Sequence, residues 1–330
     1  MKTAIKWRQI LLMVALGTTV SVVTSSCNKD DDNAPAPTPN IVQKAQSDTN
    51  FSILVAAVIK TDLTTALSTT PNLTVFAPLN SAFRAAGYTE ATINSLGASD
   101  VAALKSVLMY HVLGEQVPSS AITSANIEKT TLQGAKLYAT GNASGAYING
   151  VKVLVADVAA SNGVIHAIGK ILVPPAGTLL QTAVALGGNT SPSGFSLLVA
   201  AVLRADAATA SQAAGVVTGA LSGAGPLTVF APTNQAFIDA GFATTAAINA
   251  ADPAVLRNII LYHVVPARVF SSNLAAGNAP TAQGTNVTIA LPASGATVKG
   301  TTNTAAASVL LADVIATNGV IHVIDKVLLP

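Results

Sequence analysis

The sequence predicts an α+β fold written twice. Two observations carry that expectation: each half of the 330-residue chain begins with amphipathic helical patterning and ends in short strand-like runs, and residues 51–175 return, with drift, in residues 195–330. Helices first and strands afterward argue for a β-sandwich or barrel-like sheet flanked by helices. The period of about 150 residues far exceeds the roughly 20–50 of a solenoid unit, so each copy can close its own core.

Each copy opens with apolar residues at helical spacing: Phe51, Leu54, Val55, Val58 and Ile59 in the first, and Phe195, Leu198, Val199, Val202 and Leu203 in the second. A buried strand is expected at 73–77 and again at 227–231, ended by a proline that cannot donate to a ladder. Asn80 and Asn234 follow that proline and stand where a helix N-cap is expected. A further helix should start near Ser99-Asp100 and near Asp252-Pro253 and end at the pairs Tyr110-His111 and Tyr262-His263. From 115 to 172 and from 268 to 328 the texture changes to Val, Ile, Leu and Thr runs broken by Gly, Asn, Ser and Pro, which reads as strands.

Residues 1–26 read as a secretory signal. Lys2, Lys6 and Arg8 form a basic start, and residues 10–23 form an uncharged apolar stretch too short for a confident membrane span. The small residues Thr24-Ser25-Ser26 lead into Cys27, the single cysteine of the chain, in a pattern that resembles a bacterial lipobox with Cys27 as the acylated residue. Residues 27–40 read as an extended tether, because charge and proline leave no apolar groups to pack. Within it Lys29, Asp30, Asp31 and Asp32 resemble the surface-export signal of Bacteroidetes lipoproteins. The expected location is the outer membrane, lipid-anchored and exposed at the cell surface, with a periplasm-facing arrangement as the alternative.

Without the leader, the 17 basic residues fall by three to 14 against 15 acidic ones, a formal charge of −1. That balance leaves no electrostatic footprint for nucleic acid. Trp7, the one tryptophan, belongs to the leader, which weakens a sugar-stacking reading of the remainder.

The box Thr74-Val75-Phe76-Ala77-Pro78-Leu79-Asn80-Ser81-Ala82-Phe83 recurs as Thr228-Val229-Phe230-Ala231-Pro232-Thr233-Asn234-Gln235-Ala236-Phe237. The Tyr-His pair follows in each copy, and Asn162-Gly163-Val164-Ile165-His166 closes the first as Asn318-Gly319-Val320-Ile321-His322 closes the second. Three boxes in this order, found twice over nearly all of 41–330, resemble the fasciclin (FAS1) domain. The resemblance implies tandem FAS1-like domains, 41–175 and 176–330, with a compact β-sandwich and flanking helices, acting as an extracellular adhesion or interaction module. It also implies a receptor-binding role for the Tyr-His region, by analogy with animal members, which makes Tyr110, His111, Tyr262 and His263 candidate binding residues; packing explains their apolar flanks equally well. Leu79 against Thr233 and Gly169 against Asp325 are departures between the copies.

Asp157 and Asp313 precede His166 and His322 by nine residues, a spacing that invites a metal or catalytic reading. The duplication argues against it. Catalysis needs to work in one copy only, whereas both histidines persist in both copies among apolar neighbours, as fold-defining hydrogen-bonded groups would. No local nucleophile or phosphate-binding motif is present, so no catalytic residue, metal or cofactor is assigned. The expected function is a non-catalytic adhesion or binding module with an unidentified extracellular protein or glycan as ligand; an envelope hydrolase or a carbohydrate-handling accessory is the rival. Recognition is expected on the loops where the copies diverge, 119–131 with 141–147 and 271–284 with 293–302.

Overall fold

The computed structural model describes residues 38–187, 191–207 and 215–330. The leader 1–26, Cys27, and Lys29, Asp30, Asp31 and Asp32 lie outside the described residues. The first domain begins with α1 (Ile41–Ser47), α2 (Ser52–Lys60), α3 (Thr64–Thr69), β1 (Leu73–Pro78), α4 (Asn80–Ala85), α5 (Glu90–Asn94) and α6 (Ala98–Tyr110). Strands follow: β2 (Val112–Leu113), β3 (Ile127–Thr130), β4 (Lys136–Asn142), β5 (Gly145–Ile148), β6 (Val151–Ala160) and β7 (Gly163–Ile168). The second domain repeats the plan with α7 (Leu179–Gly187), α8 (Ser196–Ala205), α9 (Val216–Ser222), β8 (Leu227–Pro232), α10 (Asn234–Asp239), α11 (Thr245–Ala250) and α12 (Pro253–Tyr262). Its strands are β9 (Val264–Val265), β10 (Gly277–Pro280), β11 (Asn286–Ala290), β12 (Thr297–Lys299), β13 (Ala307–Ala316) and β14 (Gly319–Ile324).

Each domain holds one seven-stranded sheet, in the order β2-β1-β7-β6-β5-β4-β3 and, mirrored, β10-β11-β12-β13-β14-β8-β9. The pairing of β1 with β7, and of β8 with β14, is parallel; every other pairing is antiparallel. The sheet curls until its ends nearly meet. Leu113 bridges to Thr131, and the Leu132 amide donates to the Val112 carbonyl at 2.8 Å. In the second domain Ala282 donates to Val264 at 2.7 Å.

Curling gives each domain two apolar layers. Successive side chains of β1 alternate between them, as strand geometry requires: Val75 and Ala77 pack with the helices, while Phe76 points inside the sheet with Tyr110, Leu137 and Ile148. Every residue of β7 and of β14 is buried, as befits strands covered on both faces. The helical stripe is narrower than the spacing predicts. Ala57 and Ala201 lie at its centre, both 0% exposed. Ile59 and Leu203 stand two residues further on, about 200° around the helix, and face solvent.

Asn80 and Asn234 are not N-caps of the helices they begin. In the second domain the cap of α10 is Thr233, whose hydroxyl accepts from the Ala236 amide, and in the first domain Leu79 occupies that position without a side-chain cap. The asparagines reach across to a different helix. Asn80 Oδ1 accepts from Ile53 N in the first turn of α2 at 3.0 Å while its Nδ2 donates to Thr49 O at 2.8 Å. Asn234 likewise accepts from Leu197 N at 2.9 Å and donates to Ser191 O at 2.8 Å. A local cap was the expectation because sequence spacing sees only neighbours; the amides actually served lie 27 and 37 positions earlier.

Asn162 and Asn318 do the same on the opposite side. Asn162 accepts from Ile41 N at 2.9 Å and donates to Leu67 O and Thr70 O, joining the start of α1 to the end of α3. Asn318 accepts from Leu179 N at 2.8 Å and donates to Leu221 O and Gly223 O. The glycine after each asparagine is required sterically, since a Cβ at Gly163 or Gly319 would collide with the carbonyl oxygen of Leu73 or Leu227 on the parallel strand.

Replacing Asn80 or Asn234 with alanine strands one buried amide and one carbonyl, at a cost of about 1–3 kcal/mol. Thermal unfolding should show a loss of several degrees for each variant, in the domain that carries it.

Candidate functional site

His166 sits on β7, 0% exposed, and both ring nitrogens are engaged. Nδ1 accepts from the Asp157 amide at 3.2 Å, which fixes the proton on Nε2, and Nε2 donates to the Val117 carbonyl at 2.9 Å. The Val117 amide in turn donates to Thr74 Oγ1 at 2.8 Å, whose own hydroxyl donates to Glu115 O at 2.7 Å. Asp157 occupies a bulge between β6 and β7 with a left-handed φ of 57°. From there its carboxylate accepts from the Ser119 amide at 2.8 Å and from the Ser119 hydroxyl. Those two bonds hold its carboxyl below the usual range.

The second copy reproduces this group for group. His322 accepts from Asp313 N at 3.3 Å and donates to Val269 O at 2.9 Å, Thr228 Oγ1 accepts from Val269 N at 2.9 Å, and Asp313 takes Ser271 N at 2.7 Å together with the Ser271 hydroxyl. Phe76 and Phe230 lie against His166 and His322 with ring centroids 5.6 Å apart in both copies. The chemistry available here is fixation of a loop: 115–119 and 267–271 are pinned to the sheet through both backbone groups of one valine and the next serine.

The Tyr-His pairs are inside the protein, so they present no side chain to a partner. Tyr110, His111, Tyr262 and His263 are 0, 2, 0 and 1% exposed. Nor do the members of a pair satisfy each other. Tyr110 Oη donates to Lys136 O at 2.8 Å and accepts from Asn149 Nδ2 at 2.9 Å; Tyr262 Oη donates to Asn286 O at 2.6 Å. His111 points to the helical side, where Nδ1 donates to Val107 O at 2.7 Å and Nε2 accepts from Leu172 N at 2.8 Å. His263 makes the same contacts with Ile259 O at 2.8 Å and Leu328 N at 2.9 Å. A histidine at a helix C-terminus ordinarily gains basicity from the carbonyls. Burial outweighs that gain here and holds both imidazoles down to about 4.

The divergent loops meet one another at the seam between the domains. Asn126 Nδ2 donates to Arg268 O at 2.8 Å, and Asn142 Nδ2 donates to Ser272 O at 2.8 Å. Between those bonds the Arg268 guanidinium lies 4.0 Å above the Tyr138 ring and donates to Gly319 O at 2.9 Å. Tyr138, Phe270 and Val320 form a small apolar cluster, with the two rings 6.0 Å apart. Gly150 abuts the Asp313 carboxylate so closely that no Cβ would fit. Part of the divergence expected to mark partner recognition therefore belongs to the joining of the two copies.

The seam residues Tyr138, Arg268 and Phe270 are not apparent from the sequence pattern, which weights what repeats. Their counterparts in the other copy are Thr288, Gln116 and Pro118. A signal for one element was present: Asn149-Gly150, with φ of 49° and 78°, is the two-residue hairpin turn that such a dipeptide favours.

Two open grooves flank the segment that leaves β7. One, of about 590 Å³, runs along α6 between Phe83, Leu104 and Leu108 and the segment 169–173. The other, of about 420 Å³, lies between that segment, α7 and β13. Among the described residues no cluster of three or more His, Cys, Asp or Glu side chains comes together.

The Fasciclin domain model matches residues 49–174 and 204–330. Over 140 residues the chain is 36% identical to "Transforming growth factor-beta-induced protein ig-h3" of Sus scrofa, covering 42% of this chain and 20% of that protein. It is 38% identical over 137 residues to "Protein sll1483" of Synechocystis, covering 41% of this chain and 73% of that one. A third relative, "Cell surface glycolipoprotein MPB83" of Mycobacterium bovis, is 36% identical over 103 residues, 31% of this chain and 44% of its own length. The FAS1 domain pair of the insect cell adhesion molecule Fasciclin I aligns with a TM-score of 0.40 and 19% identity over 88% of this chain and 96% of that one. The chain thus spans about a fifth of ig-h3 and under half of MPB83.

Two outcomes follow from the buried groups. His111 and His263 are neutral in the fold and regain an ordinary value near 6.5 when unfolded. The unfolded chain therefore binds more protons between pH 6.5 and 4, and stability that is complete above pH 6.5 is lost as pH falls through that window, by on the order of 3 kcal/mol per histidine. Melting temperatures recorded from pH 7.5 to 4 should fall accordingly; a flat profile would contradict the burial argument. At the seam, Arg268→Ala should leave each domain folded but loosen their coupling. Scanning calorimetry should then resolve two transitions or a broadened one where the unaltered chain gives tighter coupling.

Proposed function

Because the chain belongs to the fasciclin domain family, we propose that it is a non-catalytic adhesion or binding module, held at the outer face of a bacterial outer membrane by a lipid on Cys27. The observation that carries the non-catalytic part is the occupancy of the repeated histidines. In both copies each imidazole spends both nitrogens on backbone groups, so a general base would have to break the fold to act. A hydrolase would need a polar pocket where titratable groups converge. The grooves around 169–173 are instead lined mainly by alanine, valine, leucine and isoleucine.

Fasciclin domains occur in surface glycolipoproteins and in cell adhesion proteins, and the relatives named above include one of the former by title. That supports display outside the cell. Among the described residues no helix is long and apolar enough to cross a membrane. Anchorage by acyl chains on Cys27, with Lys29, Asp30, Asp31 and Asp32 directing export across the outer membrane, accounts for a leader and tether ahead of two folded domains. Each methylene of an acyl chain adds about 0.8 kcal/mol of membrane affinity, so more than one chain suffices to hold a soluble body. The ligand would be an extracellular protein or glycan, bound outside the buried boxes.

Changing Cys27 to alanine should move the protein from the membrane fraction to the soluble one and remove the acyl mass. Protease added to intact cells should digest the unaltered protein. A variant with Lys29, Asp30 and Asp31 replaced by alanine should be protected while remaining membrane-bound. Full protection of the unaltered protein would place the domains in the periplasm.

A further inference from the structure

The two copies differ at one position with a chemical consequence for a neighbouring lysine. In the second domain Lys326 lies 3.3 Å from the Asp325 carboxylate, which also accepts from the Ser308 amide at 2.7 Å. In the first domain Gly169 stands at the place of Asp325, and among the described residues Lys170 makes no ion pair. Lys170 forms part of the wall of both grooves. The chain beside it is fixed, because the Leu172 amide is bound to His111 Nε2 at the end of α6.

The larger groove follows α6 along one stripe: Asp100, Leu104, Val107, Leu108 and His111 all face it. From Asp100 to His111 that stripe is about 16 Å long at the helical rise. The imidazole at its end has no free nitrogen, so along the α6 stripe the side chains between Asp100 and Lys170 are apolar or already bonded, and the Tyr88 hydroxyl on the opposite wall is the uncharged polar group of the lining. Charged groups stand near the two ends only, Asp100 in the first turn of α6 and Lys170 near the last. We propose that this groove binds a free single-chain fatty carboxylate, its tail along α6 and its carboxylate on Lys170. The charge placement sets the orientation, since a carboxylate at the Asp100 end would meet a like charge. The volume, about 590 Å³, falls within the range of small-molecule clefts. This activity is separate from adhesion and stands whether or not the chain is anchored.

The test is isothermal titration of the full chain carrying Cys27→Ala, so that no lipid on the protein competes, with laurate, with the alcohol of the same chain length, and with phosphatidylglycerol vesicles. Laurate should bind at a single site and the alcohol about three- to fivefold more weakly, the loss expected for one contact to the exposed Lys170 ammonium. Lys170→Glu should abolish or reverse the advantage of laurate over the alcohol, and Lys170→Arg should preserve it. Gly169→Asp should weaken laurate by restoring the pairing seen at Lys326, the Leu154 side chain 3.3 Å from the new Cβ shifting to make room. Lys326→Ala should change nothing, and Ala103→Trp should block the tail with the circular dichroism spectrum intact. No heat with laurate, equal binding of the alcohol, indifference to Lys170→Glu in a folded variant, or binding confined to vesicles would each overturn the proposal.

Discussion

One imidazole per domain organises everything around it. His166, and His322 in the second copy, stands on a fully buried strand and spans from the amide of a bulged aspartate to the carbonyl of a valine in the loop 115–119 or 267–271. A residue with a single polar function could not close both bonds, and a charged imidazole would turn a donor toward the aspartate amide, which is itself a donor. The bulge frees the aspartate backbone to take its left-handed conformation and aim its carboxylate at the following serine. Buried strand, bulge and loop meet at this point, and the histidine, aspartate and threonine that join them recur together.

The same pinning gives the variable residues their geometry. Val269 is held at its amide by Thr228 and at its carbonyl by His322, and Ser271 is held by Asp313. Arg268 and Phe270 alternate with these fixed positions and so project toward the first domain with little freedom. A repeated framework thus supports a contact that is not repeated.

The α+β class, the helix starting at Asp252-Pro253 and the strand pair ending in proline were legible because each has a local cause: periodicity, a capping side chain, a missing amide. The asparagines were legible as polar punctuation but not in their targets, since the amides that Asn80 and Asn162 serve are distant in sequence and become neighbours only when α1–α3 fold over β1 and β7. The Tyr-His pairs show a related limit. Their apolar flanks signalled burial, yet adjacent residues at a helix end diverge, and only the fold separates the tyrosine, turned into the sheet, from the histidine, turned to the helices. The seam was least visible of all, because comparing the copies highlights agreement while the contact between them is built from disagreement.

The asymmetry of that contact carries a consequence for assembly. The first domain offers the Asn149-Gly150 hairpin and Tyr138, and the second offers Arg268, Phe270 and Asp313, so the contact is head to tail. A heterologous contact of this kind, if every domain carried both faces, would propagate from chain to chain into open fibres. Here the equivalent face of the second domain has Thr288 for the tyrosine and a loop, 300–306, for the tight hairpin, while the equivalent face of the first has Gln116 and Pro118. The aromatic and cationic groups of this contact therefore occur once in the two copies, so the face that one domain offers is not offered again by the other.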